Sequence, residues 1–240
     1  MTVGIVIIGN EILSGKTDDT NSSYFCQKLR ELGVEAREIA VIPDEVPIIA
    51  EKVLDFSERY DFVFTSGGVG PTHDDVTIEG IAEAFHVKVI RHPDLVRILK
   101  TWYGGNLNDA QLKMAEVPDG SRLMAQDKLH FPLVVFRNLY VFPGIPEILR
   151  EKFEAVKETF QDTPFFLKII YFQTQEGTLA EYMNQLVIEF PRVMVGSYPV
   201  LHHPEYKVKV TVESKEKEYL DKAVHRFLKS LPEGFVVRVE

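Results

Sequence analysis

The chain has 240 residues, which allows one large domain or two small ones. Its 45% hydrophobic and 26% charged content is that of a globular protein, and a net charge of −9 argues against nucleic acid or a membrane surface as partner, since both call for basic patches. A single cysteine, Cys26, excludes an internal disulfide framework and a cysteine-rich zinc site, and no apolar run approaches membrane-spanning length.

Met1-Thr2 leads straight into Val3 to Ile8, a continuous apolar run that predicts a strand buried on both faces of a parallel sheet. No signal peptide precedes it, so a cytoplasmic location is expected. Gly9-Asn10-Glu11-Ile12-Leu13-Ser14-Gly15-Lys16-Thr17 follows as a polar loop. It is not a phosphate loop, which has four residues between its first Gly and the Gly-Lys pair; here there are five. A loop at the carboxyl end of a first strand is where an open α/β sheet places its site. Asn21 is either a ligand of that site or the N-cap of the next helix. Ser22 to Leu32 reads as that helix, with Tyr24, Phe25, Leu29 and Leu32 inward, Cys26 as a small core residue and Gly33 closing it. Val34 to Ile42 reads as a second strand at an edge, because Glu35, Arg37 and Glu38 interrupt it. Pro43-Asp44-Glu45 opens the next helix, Val46 to Tyr60, with Asp44 a capping candidate.

Asp61 to Phe64 is a third strand, and it runs into Thr65-Ser66-Gly67-Gly68-Val69-Gly70-Pro71-Thr72-His73-Asp74-Asp75-Val76-Thr77. Ile78 to Phe85 is then a helix with Ile78, Ile81, Ala82 and Phe85 on one face. Glycines at 67, 68 and 70 admit a ligand close to the backbone, and free amides in such a turn form an anion cradle. Asp74 and Asp75 would repel a bare phosphate, but they suit one that arrives with a divalent metal ion. The same run also serves a tight strand–helix turn capped by Asp75 or Thr77.

Beyond the motif, Val87 to Arg91 reads as a short strand flanked by His86 and His92, which are surface or packing residues. Asp94 to Tyr103 and Asp109 to Ala115 are helices, and Val117 to Ser121 is a turn. Lys113 either reaches a phosphate as a point charge or lies on a solvated face. Leu123-Met124, Leu133 to Phe136 and Leu139 to Phe142 are short strands. Pro143-Gly144-Ile145-Pro146 makes a second turn at a strand end, expected to face the central motif, and Glu147 to Phe160 is a helix. The pattern changes after Gln161-Asp162-Thr163-Pro164. Strands at Leu167 to Phe172, Val193 to Tyr198, Tyr206 to Val212 and Phe235 to Val239 alternate with helices at Glu176 to Phe190 and Lys215 to Leu231. That βαββαβ order is the ferredoxin-like split unit. A three-layer, mostly parallel α/β domain over 1–160 and a smaller α+β domain over 165–240 are therefore expected. His202 and His203 have no third ligand near them in the sequence, so no metal role is assigned to them.

Gly67-Gly68-Val69-Gly70-Pro71-Thr72-His73-Asp74-Asp75-Val76-Thr77 resembles the signature of the molybdopterin-binding family, which includes MoaB, MogA and the amino-terminal domain of CinA. The fuller likeness is to the molybdopterin-binding-like domain of eukaryotic FAD synthases, and it extends over most of the chain. Glu11 and Asn21 match family positions, Asp44 matches an Asp common in the CinA-like group, Lys113 stands near a Lys of that group, and Pro143 to Pro146 matches a Pro-Gly-x-Pro run. The resemblance implies a divalent-metal-dependent nucleotide pyrophosphatase that cleaves FAD to FMN and AMP, or cleaves ADP-ribose. Magnesium, manganese or cobalt would be held by Asp74 and Asp75 with Asp44 or Glu11, and His73 would act as general acid or base. Gly67, Gly68, Gly70, Pro71, Thr72, Pro143 and Gly144 would surround the nucleotide. It also implies a homo-oligomer, dimer or trimer. The alternatives from the same family are a domain that holds molybdopterin or a nucleotide without hydrolysis, and a MogA-like adenylyl transferase. FAD synthesis itself is not expected, because no separate synthase domain falls within these residues, nor does a CinA-type deamidase.

Overall fold

In the computed structural model, which describes residues 1–240, β1 (Thr2–Ile8) is apolar on both sides: Val3, Ile5 and Ile7 enter one core, Val6 and Ile8 the other. A strand buried twice needs helices on two faces. The short α1 (Asn10–Leu13) and the longer α2 (Asn21–Glu31) lead to β2 (Glu35–Ile42), and α3 (Val46–Arg59) leads to β3 (Phe62–Ser66). α4 (Thr77–Ala84) follows the Gly-rich turn. The chain then leaves the sheet for β4 (Val89–Arg91), α5 (Pro93–Tyr103), α6 (Asp109–Lys113) and β5 (Glu116–Pro118), where β4 and β5 form a separate antiparallel ribbon. β6 (Arg122–Met124), β7 (Leu133–Phe136) and β8 (Leu139–Phe142) rejoin the sheet, and α7 (Pro146–Val156) completes this part.

The six strands lie in the order β2-β1-β3-β8-β7-β6. β2, β1, β3 and β8 are parallel; β7 and β6 are antiparallel. On one face α2 and α7 bring Phe25, Leu29, Leu149 and Phe153 against Phe64, Tyr140 and Phe142. The rings interlock, with Phe25 5.0 Å from Phe142 and Phe64 4.8 Å from Phe160. Each buried ring of this kind contributes about 2 kcal/mol from area alone. On the other face α3 and α4 bring Ile49, Val53, Phe56, Ile78 and Ile81 against Val6, Ile8 and Val63. This is the three-layer, mostly parallel architecture expected, with β2 at the edge.

Contacts divide the chain into Met1–Asp162 and Thr163–Glu240. The second unit consists of β9 (Phe166–Phe172), α8 (Glu176–Glu189), β10 (Met194–Pro199), β11 (Val208–Ser214), α9 (Lys217–Ser230) and β12 (Val236–Val239). Its order β10-β11-β9-β12, antiparallel throughout, is the ferredoxin-like arrangement. Ile170, Phe172, Val208, Val210 and Val212 meet Leu179, Leu186, Leu220 and Phe227 from the two helices.

Three local expectations change. Val117 to Ser121 is not all turn, because Val117 is buried in the core and Pro118 closes β5, a position where a missing N–H is tolerated. The last turn of the expected Glu147–Phe160 helix tightens into a 3-10 helix, Lys157–Phe160, which buries Phe160. Cys26 is half-buried, and burial pushes its thiol pKa up, away from reactivity.

Candidate functional site

Reversal of strand order between β1 and β3 sets a crevice at the carboxyl edge of the sheet, where open α/β folds hold ligands. Four segments leave the sheet there, after Ile8, Ile42, Ser66 and Phe142. Gly67 continues β3 at φ +107°, and its amide donates to the Phe142 carbonyl at 3.2 Å. A Cβ on Gly67 would stand 2.0 Å from the Ile8 carbonyl oxygen. Gly67 is thus a packing residue rather than the amide donor expected of it. The amides of Gly68, Val69 and Gly70 find no acceptor within the protein, so the cradle is shifted one residue onward. Behind it, the buried Thr77 hydroxyl donates to the Gly67 carbonyl at 2.8 Å and the Thr77 amide to the Gly68 carbonyl at 3.0 Å. Thr77 therefore braces the turn and caps nothing.

The second turn closes on the first. An added Cβ on Gly144 would lie 3.4 Å from the Gly67 Cα. Asn21 joins the two, since its Nδ2 donates to Ser66 Oγ at 3.0 Å and to the Gly144 carbonyl at 2.8 Å. Ser66 Oγ in turn donates to the Pro143 carbonyl at 3.2 Å. Asn21 is 7% exposed, and its Oδ1 is buried with no donor. It does not cap α2, because Asp19 does that, its Oδ1 accepting from the amides of Asn21 and Ser22 at 3.0 Å each.

An open cavity of about 610 Å³ lies beside these turns, lined by Asn10, Glu11, Leu13, Ser14, Lys16, Asp44 and Asp74. Residues from three separate segments, after β1, β2 and β3, meet in it. Asp44 reaches across from the end of β2, where its Oδ2 accepts from the Asn10 amide at 2.8 Å; it caps α1, not α3. Asp74 is exposed at the tip of the turn. His73 is 97% exposed on its side chain, with Nδ1 3.9 Å from Asp74 Oδ1. Asp75 is turned inward: its Oδ2 accepts from the Thr72 amide at 2.8 Å and from the Thr72 hydroxyl. The Asp75 amide also donates to the Thr72 carbonyl at 3.4 Å, which puts His73 and Asp74 at the tip of the turn, while Pro71 lies exposed before it. Lys113 is neither free for phosphate nor on a solvated face, because its Nζ donates to the Thr72 carbonyl at 3.0 Å and sits 3.5 Å from Glu79 Oε1.

The expected metal ligands thus separate. Asp44 and Asp74 line the cavity, while Asp75 holds the turn together. No three His, Cys, Asp or Glu side chains converge to cage an ion. Three carboxylates on one cavity, Glu11, Asp44 and Asp74, fit magnesium in the mode in which it keeps its waters and shares phosphates. They do not fit a metal caged by protein alone. His203 stacks on Tyr206 at 3.8 Å and carries no ligand set. The sequence reading left out Lys16, Asp19 and Ser66. Lys16 had a signal in the Gly15-Lys16 pair, set aside with the phosphate loop.

Both units of the chain resemble known proteins. Residues 4–162 match a family described as a probable molybdopterin binding domain, and residues 164–240 match the middle domain of FAD synthase. A protein of Archaeoglobus fulgidus is 37% identical over 223 residues, which cover 93% of this chain and 95% of that one. A probable FAD synthase of Caenorhabditis briggsae is 33% identical over 264 residues, covering 98% of this chain and 50% of that one. The chain therefore spans about half the length of that relative. The crystal structure of CinA from Thermoplasma acidophilum, itself described as of unknown function, superposes with a TM-score of 0.62 at 28% identity, over 68% of this chain and all of that one.

Proposed function

The chain belongs to the probable molybdopterin-binding domain family, and from that premise we propose that it is a divalent-metal-dependent nucleotide pyrophosphatase acting on FAD or ADP-ribose. The naming of its relatives as probable FAD synthases supports a nucleotide ligand. The observation that carries the reading is the placement of Asp44 and Asp74 on one cavity at the carboxyl edge of the sheet. FAD plus water would give FMN and AMP; ADP-ribose plus water would give AMP and ribose 5-phosphate. Unpaired amides at Gly68, Val69 and Gly70 would take non-bridging phosphate oxygens. Asp44 and Asp74 would hold the metal, which when bound supplies charge neutralisation and a water of lowered pKa. The Asn21 link would keep the two turns at a fixed separation as the leaving phosphate gains charge. His73 stands exposed to solvent, and no step is assigned to it.

One observation favours a second reading, a domain that holds molybdopterin or a nucleotide without cleaving it, or passes an adenylyl group to molybdopterin. No histidine lines the cavity, and no side chain there is arranged as a fixed general base. The two readings part on AMP. The whole chain is incubated with FAD, ADP-ribose and NAD, with and without magnesium, manganese or cobalt, and AMP is followed by chromatography. The pyrophosphatase reading expects metal-dependent AMP release that Asp74→Asn abolishes while nucleotide binding persists. Binding without AMP under every metal condition would replace it with the second reading.

A further inference from the structure

We infer that Lys16 is the side chain through which this cavity engages the substrate's phosphate, an assignment that rests on the nucleotide reading above. The cavity wall carries three carboxylates, Glu11, Asp44 and Asp74, and one ammonium, Lys16. A doubly charged pyrophosphate bridge entering this wall meets repulsion from three sides. A divalent ion offsets part of it, and Lys16 supplies the remaining positive charge.

The other lysine near the motif is committed elsewhere. Lys113 bonds the Thr72 carbonyl and pairs with Glu79, with 22% of its side chain exposed. Lys16 is exposed, and its ammonium forms no hydrogen bond and no ion pair, although it shares a cavity wall with three acids. Its root, by contrast, is fixed. The Lys16 amide donates to the Glu11 carbonyl at 2.9 Å and the Thr17 amide to the same carbonyl at 3.2 Å. Gly15, at φ +68° with open space around it, reverses the chain so that Lys16 returns to the mouth of the cavity. The loop is tied down at its other end by the Gly9 amide on the Ile42 carbonyl at 3.1 Å and by Asp44 on Asn10. A fixed root with a free ammonium is the geometry of a point-charge phosphate contact, which needs reach more than orientation. Arginine should therefore replace lysine here, and a neutral side chain of similar length should not.

The test uses the whole chain with magnesium and measures calorimetric affinity for ADP-ribose, inorganic pyrophosphate and adenosine. Lys16→Met is expected to weaken ADP-ribose and pyrophosphate about tenfold, the lower range for a hydrogen bond to a charged group, with adenosine unchanged. Lys16→Arg is expected to restore both, and the thermal midpoint is expected to stay at the wild-type value for both variants. Wild-type affinity for ADP-ribose and pyrophosphate in Lys16→Met overturns the inference and leaves the nucleotide reading standing. An equal loss for adenosine also overturns it, because the effect would then not run through phosphate. Pyrophosphate binding that depends on Lys16, with no binding of ADP-ribose or adenosine by the wild type, supports the assignment and overturns the nucleotide reading.

Discussion

Asn21 uses its amide nitrogen twice, on Ser66 and on Gly144, so its removal strips donors from both sides of the site at once. Asn21→Ala is expected to cost about 1–3 kcal/mol in urea unfolding, the range for buried groups left without partners, and to weaken nucleotide binding in calorimetry. Unchanged affinity with lowered stability would make the link structural only. Lys152 poses a different problem. It is 6% exposed, donates to the Phe131 and Pro132 carbonyls, and burial lowers its pKa from 10.5 to about 8. The unfolded chain therefore binds the proton more tightly than the folded one. Stability should rise with pH between about 8 and 10.5, with the penalty fully present below pH 8, on the order of 3 kcal/mol. The Cys26 thiol, raised by burial, acts in the opposite sense as pH climbs. The readout is therefore the difference between the wild type and Lys152→Met in urea midpoints at pH 7.5 and 9.5. That difference should shrink or reverse in favour of the wild type as pH rises, and a constant difference would show that Lys152 does not titrate in this window. Asn21 was visible as a candidate from its match to a family position and its place in the loop after the first strand. Its partners were not, because they lie 45 and 123 residues away. Asp75 was visible as an acid, but nothing in an Asp-Asp pair says which of the two turns inward to Thr72.

Strands and helices were legible wherever periodicity was strong. The doubly buried Val3 to Ile8, the edge character of β2 and the alternation of β11 all follow from spacing of apolar residues. β5 was not, since three residues ending in Pro118 carry no period to read. The turns between elements were legible as Gly-rich, but the separate duties of their glycines depend on neighbours remote in sequence. Gly67 and Gly144 make the point testable. A methyl group on Gly67 collides with the Ile8 carbonyl at a positive φ, whereas one on Gly144 reaches ordinary contact distance from Gly67. Gly67→Ala is expected to cost about 3 kcal/mol or more, from backbone strain and overpacking together. Gly144→Ala is expected to stay within about 1 kcal/mol by thermal melting. Equal losses in the two variants would contradict this division of roles.

Each unit has a core of its own, two clusters in the first and one in the second. Residues 1–162 carry 17 Lys and Arg against 26 Asp and Glu, while 163–240 carry 10 against 10, so all the net charge belongs to the unit with the cavity. Residues 1–162 expressed alone should fold and bind ADP-ribose with the affinity of the whole chain, provided magnesium is present to offset that charge. Circular dichroism and calorimetry check this, and a folded fragment that binds nothing while the whole chain binds would move the site's dependence onto the second unit. The pairing of β3 with β8 also sets a timetable for synthesis. β1, β2 and β3 can align once residue 66 has emerged from the ribosome, but Gly67 and Asn21 both wait for acceptors at Phe142 and Gly144. Long-range parallel pairing of this kind is slow, because a large loop must close before any contact repays it. A chain halted short of Leu139 displays the Gly-rich turn without the strand that its Gly67 amide bonds. The link between the two turns is consequently among the last features of the first unit to form, whereas every residue that lines the cavity, from Asn10 to Asp74, has been made well before it.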